Sequence, residues 1–566
     1  MSEKEELQQF LDDMEEMYAP SIGSGGKARA TIAKTKTDKT TLASAEEIST
    51  LPLAQKDVKP CDLVAIRQML NPQGLKQLDD GLAALLRPDT VCDIVPDSFI
   101  PVSYGAPSSA FKNLERDTHC IEFVSAATME QHPTKSAGYA MWVKETKQCP
   151  TTRQLINRVR FIHNPKRNNA ALKSPTSRYI NTTHMYGPAH YLPAIRHEAA
   201  AVGDISSGFS HIEIPFEARA WFRMKDEDGN IWQMTRLPMG HTASVQIMEV
   251  ITHFLVGSSL VCKSEHALPT VRTDVFVDDF RFAGTEKRVN HALDFTRRRA
   301  ARYNITLKEG QQTAATDVIF LGVKYDHNNK TVTISEKTLS KLPRKFESSR
   351  RAGDLHRDVS RLIYCSGPLG INIGQFYFSM KHITKICSQI NNGHIDEDTM
   401  MTLTSHLQHS LQRWRDMVHE SRSYRGFDWD QQQKQRRCIL FTDASLHGWG
   451  AFLITADGCI FIVGGRWSDT YRSGDINHLE ARAVKYAFQA FAQIIKRHTA
   501  VSLRVDNTSV GTAMRRGRGR AAEIHVEVIE THLWLQQQKI TLDTSEVSSK
   551  DNHADFVSRL ETGERD

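Results

Sequence analysis

Two adjacent aspartates, Asp278 and Asp279, separate two short runs of residues that favour strands. Residues 271–277 are rich in valine, and residues 280–282 contain two phenylalanines. β-Branched and aromatic residues at this density predict a β-hairpin with the two acids at its tip. Adjacent carboxylates repel each other, and the usual reason for tolerating them is a divalent cation, most often Mg²⁺. The alternative is an ordinary acidic turn, since Asp is a favoured turn residue.

Three further motifs surround this doublet in a fixed order. Upstream, Asp204 ends an apolar run and Phe209 follows five residues later. Residues 237–240 read Leu-Pro-Met-Gly and lead into an apolar, helix-like segment, and residues 320–322 read Phe-Leu-Gly. In the order Asp-x4-Phe, Leu-Pro-x-Gly, Phe-Val-Asp-Asp and Phe-Leu-Gly, the sequence resembles the palm of a reverse transcriptase.

The resemblance implies a role for each of the three aspartates. Asp204 and Asp278 would hold two metal ions, and Asp279 would lie beside the primer end. Two such ions can activate the primer 3′-hydroxyl and stabilise the departing pyrophosphate. Phe209 would lie beneath the sugar of the incoming nucleotide and exclude a 2′-hydroxyl, so that the product is DNA. The alternative for Phe209 is a core residue at the start of a helix.

The same resemblance identifies a nucleotide pocket. Met239 and Gly240 would belong to it, although Met239 stands where retroviral enzymes have Gln. Residues 158–169 are similar to the fingers strand of the family, in which basic residues bind the nucleotide triphosphate through paired hydrogen bonds. Arg160 is the first choice for this contact, with Arg158 and Lys166 behind it. The alternative is a set of solvated charges on a hairpin, and Asn164 replaces the Asp that the family often has.

A second set of four acids begins after residue 430. The first ends a predicted strand, the second lies at the start of a predicted helix, the third follows another strand, and the fourth lies near the C-terminus. They are Asp443, Glu480, Asp506 and Asp555. The pattern resembles the ribonuclease H domain of retroelements, whose four metal-binding acids match these positions. In that family, metal-activated water cleaves the RNA strand of an RNA–DNA hybrid.

Each of these acids has a local alternative. Glu480 is placed to form a capping pair with Asn477, and Asp506 with its neighbour is placed to cap the next helix. Asp551 competes with Asp555 as the fourth acid. The ending Asn-x-Ala-Asp-x-x-Ser-Arg is the reason for choosing Asp555.

A basic turn follows the Asp506 segment. Its arginines predict a phosphate grip on the hybrid, and the alternative is a localisation signal or a solvated charge run. They are Arg515, Arg516, Arg518 and Arg520. No histidine stands in the position that retroviral enzymes use before the last acid, and His553 is nearby but out of register.

The predicted fold class is α/β (α+β), with a right-hand polymerase followed by a connection and a ribonuclease H-like domain with a mixed sheet. Five regions are expected: a disordered tail at 1–50, a helical extension of unknown role at 51–110, fingers and palm at 111–334, thumb and connection at 335–430, and ribonuclease H at 431–566.

Composition agrees with a large soluble enzyme. The 566 residues carry a net charge of +6, which suits a polyanionic partner. The nine cysteines form no C-x-x-C pair, which favours reduced thiols of an intracellular protein without a zinc site. No apolar run is long enough for a membrane helix, so no membrane partner is expected.

These features predict an RNA-directed DNA polymerase with a fused ribonuclease H that uses two Mg²⁺ ions in each site, with Mn²⁺ as a possible substitute. The expected partners are an RNA template, a DNA primer, the RNA–DNA hybrid and deoxynucleoside triphosphates. The layout resembles retrotransposons with tyrosine recombinases, the DIRS-like group with its VIPER elements. Protease and recombinase or integrase activities are expected on other chains, since the sequence shows no signature of either.

Two other classes of protein are alternatives. One is a domesticated or inactive element protein that binds nucleic acid without catalysis. The other is a DNA-templated or intron-type polymerase, which an appended ribonuclease H disfavours.

Overall fold

The computed structural model describes residues 42–86, 100–103, 107–148, 154–165, 168–169, 172, 188–268, 271–308, 313–421, 423–425, 437–467 and 475–559. It is a mixed α/β structure, as the fold class predicts at this level. The described chain divides into two compact units. Residues 42–335 form the N-terminal unit, and residues 336–559 form the C-terminal unit.

The N-terminal unit begins with a short helix. The Glu47 N–H donates to Ser44 Oγ, and the Ser44 N–H donates to the Glu47 carboxylate, so a capping box starts helix α1 (Ala45–Thr50). The prediction of a disordered tail is therefore wrong for residues 45–50, while residues 1–41 lie outside the described residues.

Further helices follow in the described part of the N-terminal unit. They are α2 (Leu63–Met69), α3 (Pro72–Leu86), α4 (Ser108–Thr118), α5 (Ala126–Gln131), α6 (Phe216–Arg219), α7 (Thr242–Leu255) and α8 (Glu286–Arg302). Its strands are β1 (Ile121–Phe123), β2 (Ala140–Gln148), β3 (Leu155–His163), β4 (Ala199–Asp204), β5 (Arg223–Lys225), β6 (Ile231–Met234), β7 (Arg272–Phe276), β8 (Asp279–Gly284), β9 (Asp317–Phe320), β10 (Val323–Asp326) and β11 (Thr331–Ile334).

The strands of this unit pair mostly with their neighbours. β7 and β8 form the hairpin that valines and phenylalanines predict, and β4 adds to it in the antiparallel order β4-β8-β7. β2 and β3 form a separate long hairpin, and β9, β10 and β11 form an antiparallel meander. Helix α7 is apolar on most of its surface and lies buried in the core, where it packs against α3.

The C-terminal unit has two parts along the chain. Its helices are α9 (Glu336–Leu339), α10 (Ala352–Leu369), α11 (Tyr377–Asn391), α12 (Ser405–Glu420), α13 (Ile476–Ala490), α14 (Ala492–Ile495), α15 (Thr508–Arg516), α16 (Ala522–Gln537) and α17 (Asp555–Arg559). Its strands are β12 (Ser349–Arg351), β13 (Met400–Thr402), β14 (Ser423–Arg425), β15 (Arg437–Ala444), β16 (Gly448–Ile454), β17 (Ile460–Arg466), β18 (Ala500–Val505) and β19 (Thr541–Glu546).

The first part is helical, as the leucine spacing predicts. Trp414 on α12 stacks on Phe376 with 4.6 Å between ring centroids, and its indole N–H donates to Ser366 Oγ at 2.8 Å. A buried Trp is stable here because its N–H has a partner.

The second part is built on a mixed five-stranded sheet in the order β17-β16-β15-β18-β19. β15, β16 and β17 pair antiparallel, whereas β15, β18 and β19 pair in parallel. Helix α13 connects the antiparallel part to β18 and packs against α16. This topology places the carboxyl ends of β15 and β18 side by side, beside the start of α13.

None of the helices within the described residues combines the length and apolar character needed to cross a bilayer.

Candidate catalytic centres

The acids of the N-terminal unit come together through strand pairing. Asp204, the last residue of β4, is the register partner of Asp279, the first residue of β8. The turn between β7 and β8 consists of Val277 and Asp278, and the Ile205 N–H donates to the Asp278 carbonyl at 3.2 Å. The sheet therefore brings Asp204 to the turn, and we call these three acids the hairpin centre.

The turn of the hairpin centre has a strained backbone. Val277 has a φ of +57°, which is rare for a β-branched residue. Its side chain packs against the core, which holds the residue in this conformation. Strain of this kind persists only where the surrounding structure enforces it, and it is concentrated at functional sites.

The electrostatics of the hairpin centre are set by burial and by mutual repulsion. Burial and the Asp204 carboxylate raise the pKa of Asp278. Burial, followed by Asp204 and Asp278, raises the pKa of Asp279 to about 6. Lys308 forms an ion pair with Asp204 and lowers both of these pKa values in part. Local sequence carries no signal for Lys308, because only the long-range pairing of residues 205 and 307 brings it to Asp204.

A cavity of about 390 Å³ opens beside the hairpin centre. Several predicted site residues line it, namely Asp204, Asp278, Arg158, Arg160, Phe209 and Met239. Its lining does not include Asp279 or Gly240. Gly240 instead forms a turn with a φ of +87°, which glycine adopts readily, and its carbonyl accepts a hydrogen bond from Asn169 at 2.8 Å. Lys166 lies outside the described residues.

The position of Phe209 agrees with the core alternative and leaves its role beneath the sugar as a prediction. It lies in a 3₁₀ turn, Gly208–His211, packs against the core and also lines the cavity. The turn depends on Gly208, because a Cβ there would lie 3.2 Å from Asp278 Cβ and 3.2 Å from Met248 Sδ. The close approach of this backbone to Asp278 therefore favours glycine.

The two arginines of the fingers-like hairpin share one carboxylate. Arg158 and Arg160 on β3 both contact Glu145 on β2, at 2.8 Å and 2.5 Å. Burial raises the pKa of Glu145, but hydrogen bonds from Arg160 and then Arg158 outweigh it, and the net pKa is lowered. Glu145 therefore holds both guanidinium groups at the cavity. The sequence offered no signal for this residue, because its register opposite Arg158 depends on the hairpin.

The acids of the C-terminal unit form a tighter group. Asp443 lies near the end of β15, Glu480 on α13, and Asp506 directly after β18. One oxygen of each lies within 4.8 Å of the others, a spacing suited to a shared cation. Within the described ranges, no other set of three His, Cys, Asp or Glu side chains meets this criterion. We call these three acids the sheet-end centre.

The sheet-end centre concentrates negative charge in a buried place. Burial, followed by the carboxylates of Asp443 and Asp506, raises the pKa of Glu480 to about 9, and Asp555 adds a smaller effect in the same direction. Glu480 Oε2 is buried and has no hydrogen-bond partner among the described residues. A divalent cation would satisfy this oxygen and neutralise the repulsion, so the residues present fit a metal ion.

Two residues of the C-terminal motif support Asp443. Ser558 Oγ donates to Asp443 Oδ2 at 2.5 Å. Asn552 Nδ2 donates to the Thr442 carbonyl at 3.0 Å and reaches Asp443 Oδ1 at 3.5 Å. The ending Asn-x-Ala-Asp-x-x-Ser was used to choose Asp555, and the structure shows that its Asn and Ser bind the first acid.

The observed N-caps of α13 and α15 show whether Glu480 and Asp506 serve as capping residues. Asp475 caps α13 by accepting from the Asn477 N–H, so Glu480 is not part of a capping pair with Asn477. Asn507 caps α15 by accepting from the Val510 N–H at 3.1 Å, so the cap of this helix is not Asp506.

The two candidates for the fourth acid also separate. Asp551 is exposed and accepts a hydrogen bond from Ser548 Oγ, whereas Asp555 acts on the pKa of Glu480. Asp555 is nevertheless not within the 4.8 Å group. The neighbouring His553 packs on Phe441 and Phe452, with ring centroids 4.7 Å and 5.3 Å apart.

The four arginines of the basic turn do not all lie at the same site. Arg515 forms an ion pair with Glu546 on β19. The other three line a cavity of about 540 Å³ together with Tyr377, and the Arg518 guanidinium lies 5.0 Å from the Tyr377 ring centroid. The described residues that line this cavity include hydroxyl and amide groups and no carboxylate side chain. Its chemistry suits an anion, and the structure excludes Arg515 from it.

No family model matches the chain, and no curated protein matches it. Among solved structures, it is similar to a foamy viral protease-reverse transcriptase in complex with double-stranded DNA, at 12% identity and a TM-score of 0.42 over 87% of this chain and 99% of that chain. A complex of the foamy viral protein with an RNA/DNA hybrid is similar at 13% identity and a TM-score of 0.37, over 87% of this chain and 64% of that chain. Similarities at this identity and TM-score carry no functional argument, so the function must be inferred from the two acidic centres.

Proposed function

We propose that this chain is an RNA-directed DNA polymerase with a fused ribonuclease H that degrades the RNA strand of RNA–DNA hybrids. The observation that carries the proposal is the presence of two acidic centres, one in each unit, each assembled from the ends of paired strands. Two centres of this kind suit two phosphoryl-transfer reactions, one that makes a phosphodiester bond and one that cleaves it.

In the polymerase reaction, Asp204 and Asp278 would hold two Mg²⁺ ions, with Mn²⁺ as a substitute, and Asp279 would support them beside the primer end. The ions would supply activation of the primer 3′-hydroxyl and charge stabilisation at the departing pyrophosphate. Arg160 and Arg158, held by Glu145, would orient the triphosphate of a deoxynucleotide. Phe209 and Met239 would shape the pocket for its sugar and base.

In the nuclease reaction, Asp443, Glu480 and Asp506 would hold the metal ions, with Asp555 close by. Ser558 and Asn552 would keep the Asp443 carboxylate in position. Arg516, Arg518 and Arg520 would bind a phosphate of the hybrid in the cavity that they line. Bound cations would supply an activated water for attack on the RNA phosphodiester.

In this proposal, the N-terminal unit contains fingers and palm, and the C-terminal unit contains thumb, connection and ribonuclease H. The natural role would be to copy the RNA of a retrotransposon, most like those with tyrosine recombinases. The partners would be an RNA template, a DNA primer, their hybrid and deoxynucleoside triphosphates.

The test uses two isosteric substitutions, Asp278→Asn and Asp443→Asn, in the full chain. Primer extension on an RNA template and cleavage of a labelled RNA–DNA hybrid are measured with Mg²⁺. Asp278→Asn should abolish synthesis and leave cleavage intact, and Asp443→Asn should do the reverse. Loss of both activities in either variant would argue against two separate sites. A wild-type chain that binds hybrid but shows neither activity would favour the alternative of an inactive element protein.

A further inference from the structure

The beginning of the described chain adds to the fingers-like hairpin. Leu53 pairs with Val159 of β3 in parallel. The Ala54 N–H donates to the Val159 carbonyl at 2.7 Å, and the Val159 N–H donates to the Pro52 carbonyl at 2.9 Å. Residues 52–54 are thus held by backbone hydrogen bonds along the strand that carries Arg158 and Arg160.

The next residue extends this pairing with its side chain. Gln55 Nε2 donates to the Phe161 carbonyl at 2.5 Å, and the Phe161 N–H donates to Gln55 Oε1 at 3.2 Å. The side-chain amide of Gln55 therefore forms with Phe161 the two hydrogen bonds that the backbone of a neighbouring strand would otherwise form. Because the segment is held on both sides of Ala54, the position of Lys56 at the cavity is set by the hairpin.

Ala54, Gln55 and Lys56 line the same cavity as Asp204 and Asp278. Among the described residues, five lysine and arginine side chains line this cavity, namely Lys56, Arg158, Arg160, Arg236 and Lys308.

Four of these five cations are already paired. Glu145 contacts both Arg158 and Arg160, Glu213 contacts Arg236 at 2.7 Å, and Asp204 contacts Lys308. Lys56 is exposed and forms no ion pair with any residue that the structure describes. An anion that enters the cavity must compete with a carboxylate for each of the other four, whereas no carboxylate of the described chain competes for Lys56.

We propose that Lys56 binds the triphosphate of the incoming nucleotide. This inference rests on the proposed polymerase function and assigns part of residues 51–110 to its nucleotide site. A triphosphate carries several negative charges, and an ammonium group on a flexible stem binds phosphate as a point charge. Arg158 and Arg160, which Glu145 partly neutralises, leave room for one further cation at this site.

The test compares Lys56→Ala with Lys56→Arg and with a matched control, Lys59→Ala. Lys59 lies on the same segment, is exposed and does not line the cavity. In primer extension with varied deoxynucleotide, Lys56→Ala should raise KM roughly tenfold with little change in kcat, since one charge-assisted contact is lost. Lys56→Arg should stay near the wild type, and Lys59→Ala should equal it.

A second measurement separates the nucleotide from the template. The affinity for primer–template is measured without nucleotide, and hybrid cleavage is measured in parallel; neither should change in Lys56→Ala. An unchanged nucleotide KM would overturn the inference, and so would weaker primer–template binding at constant KM, which would assign Lys56 to the nucleic-acid backbone. Both results presuppose a wild-type chain that synthesises DNA, and a chain without synthesis would instead refute the proposed function.

Discussion

The two acidic centres differ in how their negative charge is balanced. In the hairpin centre, Lys308 pairs with Asp204, and the arginines of β3 line the same cavity. In the sheet-end centre, Glu480 and Asp506 have no ion-pair partner among the described residues, and the pKa of Glu480 rises to about 9. The first centre is therefore partly compensated by the protein itself, whereas Glu480 and Asp506 of the second lack such compensation among the described residues.

The difference follows from what surrounds each group of acids. The hairpin centre lies at an open cavity, where burial of the acids is partial and basic side chains reach them. The sheet-end centre lies between a sheet and a helix, where Asp443 is 4% and Glu480 5% exposed. Burial raises the free energy of a charged carboxylate, so closely spaced buried acids gain most from a metal ion.

The largest expected effect is that of Glu480→Gln. The variant should lose hybrid cleavage by on the order of 100-fold or more, because a metal ligand is removed. It should also melt at a higher temperature than the wild type in metal-free buffer near neutral pH, because the wild type must take up a proton at the buried Glu480 in order to fold. Cleavage assays and thermal unfolding measure the two effects.

The control for Glu480→Gln is Glu523→Gln, an exposed position in the first turn of α16. Glu523→Gln should change neither cleavage nor melting temperature. Metal-free Glu480→Gln that melts below the wild type would contradict the charge imbalance at this centre.

The next effect concerns the compensating lysine of the hairpin centre. Lys308→Ala should reduce DNA synthesis roughly tenfold, because the charge that balances Asp204 is lost. Lys308 lowers the pKa of Asp278 and Asp279, so its removal should raise both and move the acid limb of the pH–rate profile to higher pH.

Steady-state synthesis across the pH range measures this shift, and Lys308→Arg, which keeps the charge, should restore most of the activity. Hybrid cleavage should be unaffected in both variants. An acid limb that stays in place in Lys308→Ala would show that Lys308 does not act on these acids.

A smaller effect is expected in the pH dependence of metal-free stability. The pKa of Glu480 is 4.5 in its ordinary state and about 9 in the folded protein. Between these values the folded protein holds a proton that the unfolded chain has lost, so this group's contribution to stability falls as pH rises through the window. Above about pH 9 the loss is complete.

The melting temperature of the wild type minus that of Glu480→Gln, measured with a chelator present, isolates this contribution. The difference should grow more unfavourable from about pH 5 to about pH 9, and added Mg²⁺ should stabilise the wild type more at the higher pH, because metal replaces the proton. A difference independent of pH would be inconsistent with a shifted pKa at Glu480.

The smallest expected effect is that of Asn507, the cap of α15, which is compared with that of the neighbouring acid Asp506. Asn507→Ala should lower the free energy of unfolding by about 1 kcal/mol, the usual cost of a lost N-cap, and reduce cleavage only modestly. It also removes the hydrogen bond from Asn507 Nδ2 to Asn477 Oδ1 at 3.1 Å. Asp506→Asn should instead abolish cleavage with little loss of stability. Urea unfolding measures the stability of the two variants, and cleavage assays measure their activity. Equal losses of cleavage in both variants would show that the cap and the acid do not have separate roles.

Local pattern predicted a large part of both centres. The valines and phenylalanines around Asp278 predicted the β7–β8 hairpin, and the apolar run before Asp443 predicted β15 and its partner β16. Such elements follow from side-chain alternation and turn residues, which neighbouring residues determine. Composition predicted disorder at residues 45–50, and this prediction was wrong because the capping box of Ser44 and Glu47 stabilises the start of a helix there.

The residues that support the centres could not be predicted in the same way. Glu145 contacts Arg158 only because the β2–β3 register places them opposite each other. Ser558 lies 115 positions from Asp443, and Lys308 lies 104 positions from Asp204. These partners depend on chain segments that meet only after folding.

The order and chemical type of the acids, and the strands and helices that carry them, were determined by the amino-acid sequence alone. The tertiary structure decided that Lys308 pairs with Asp204 and that Glu480 and Asp506 have no ion-pair partner among the described residues. The physical reason is that strand formation depends on near neighbours, whereas the pKa of a carboxyl group depends on burial and on charges that distant parts of the chain bring to it.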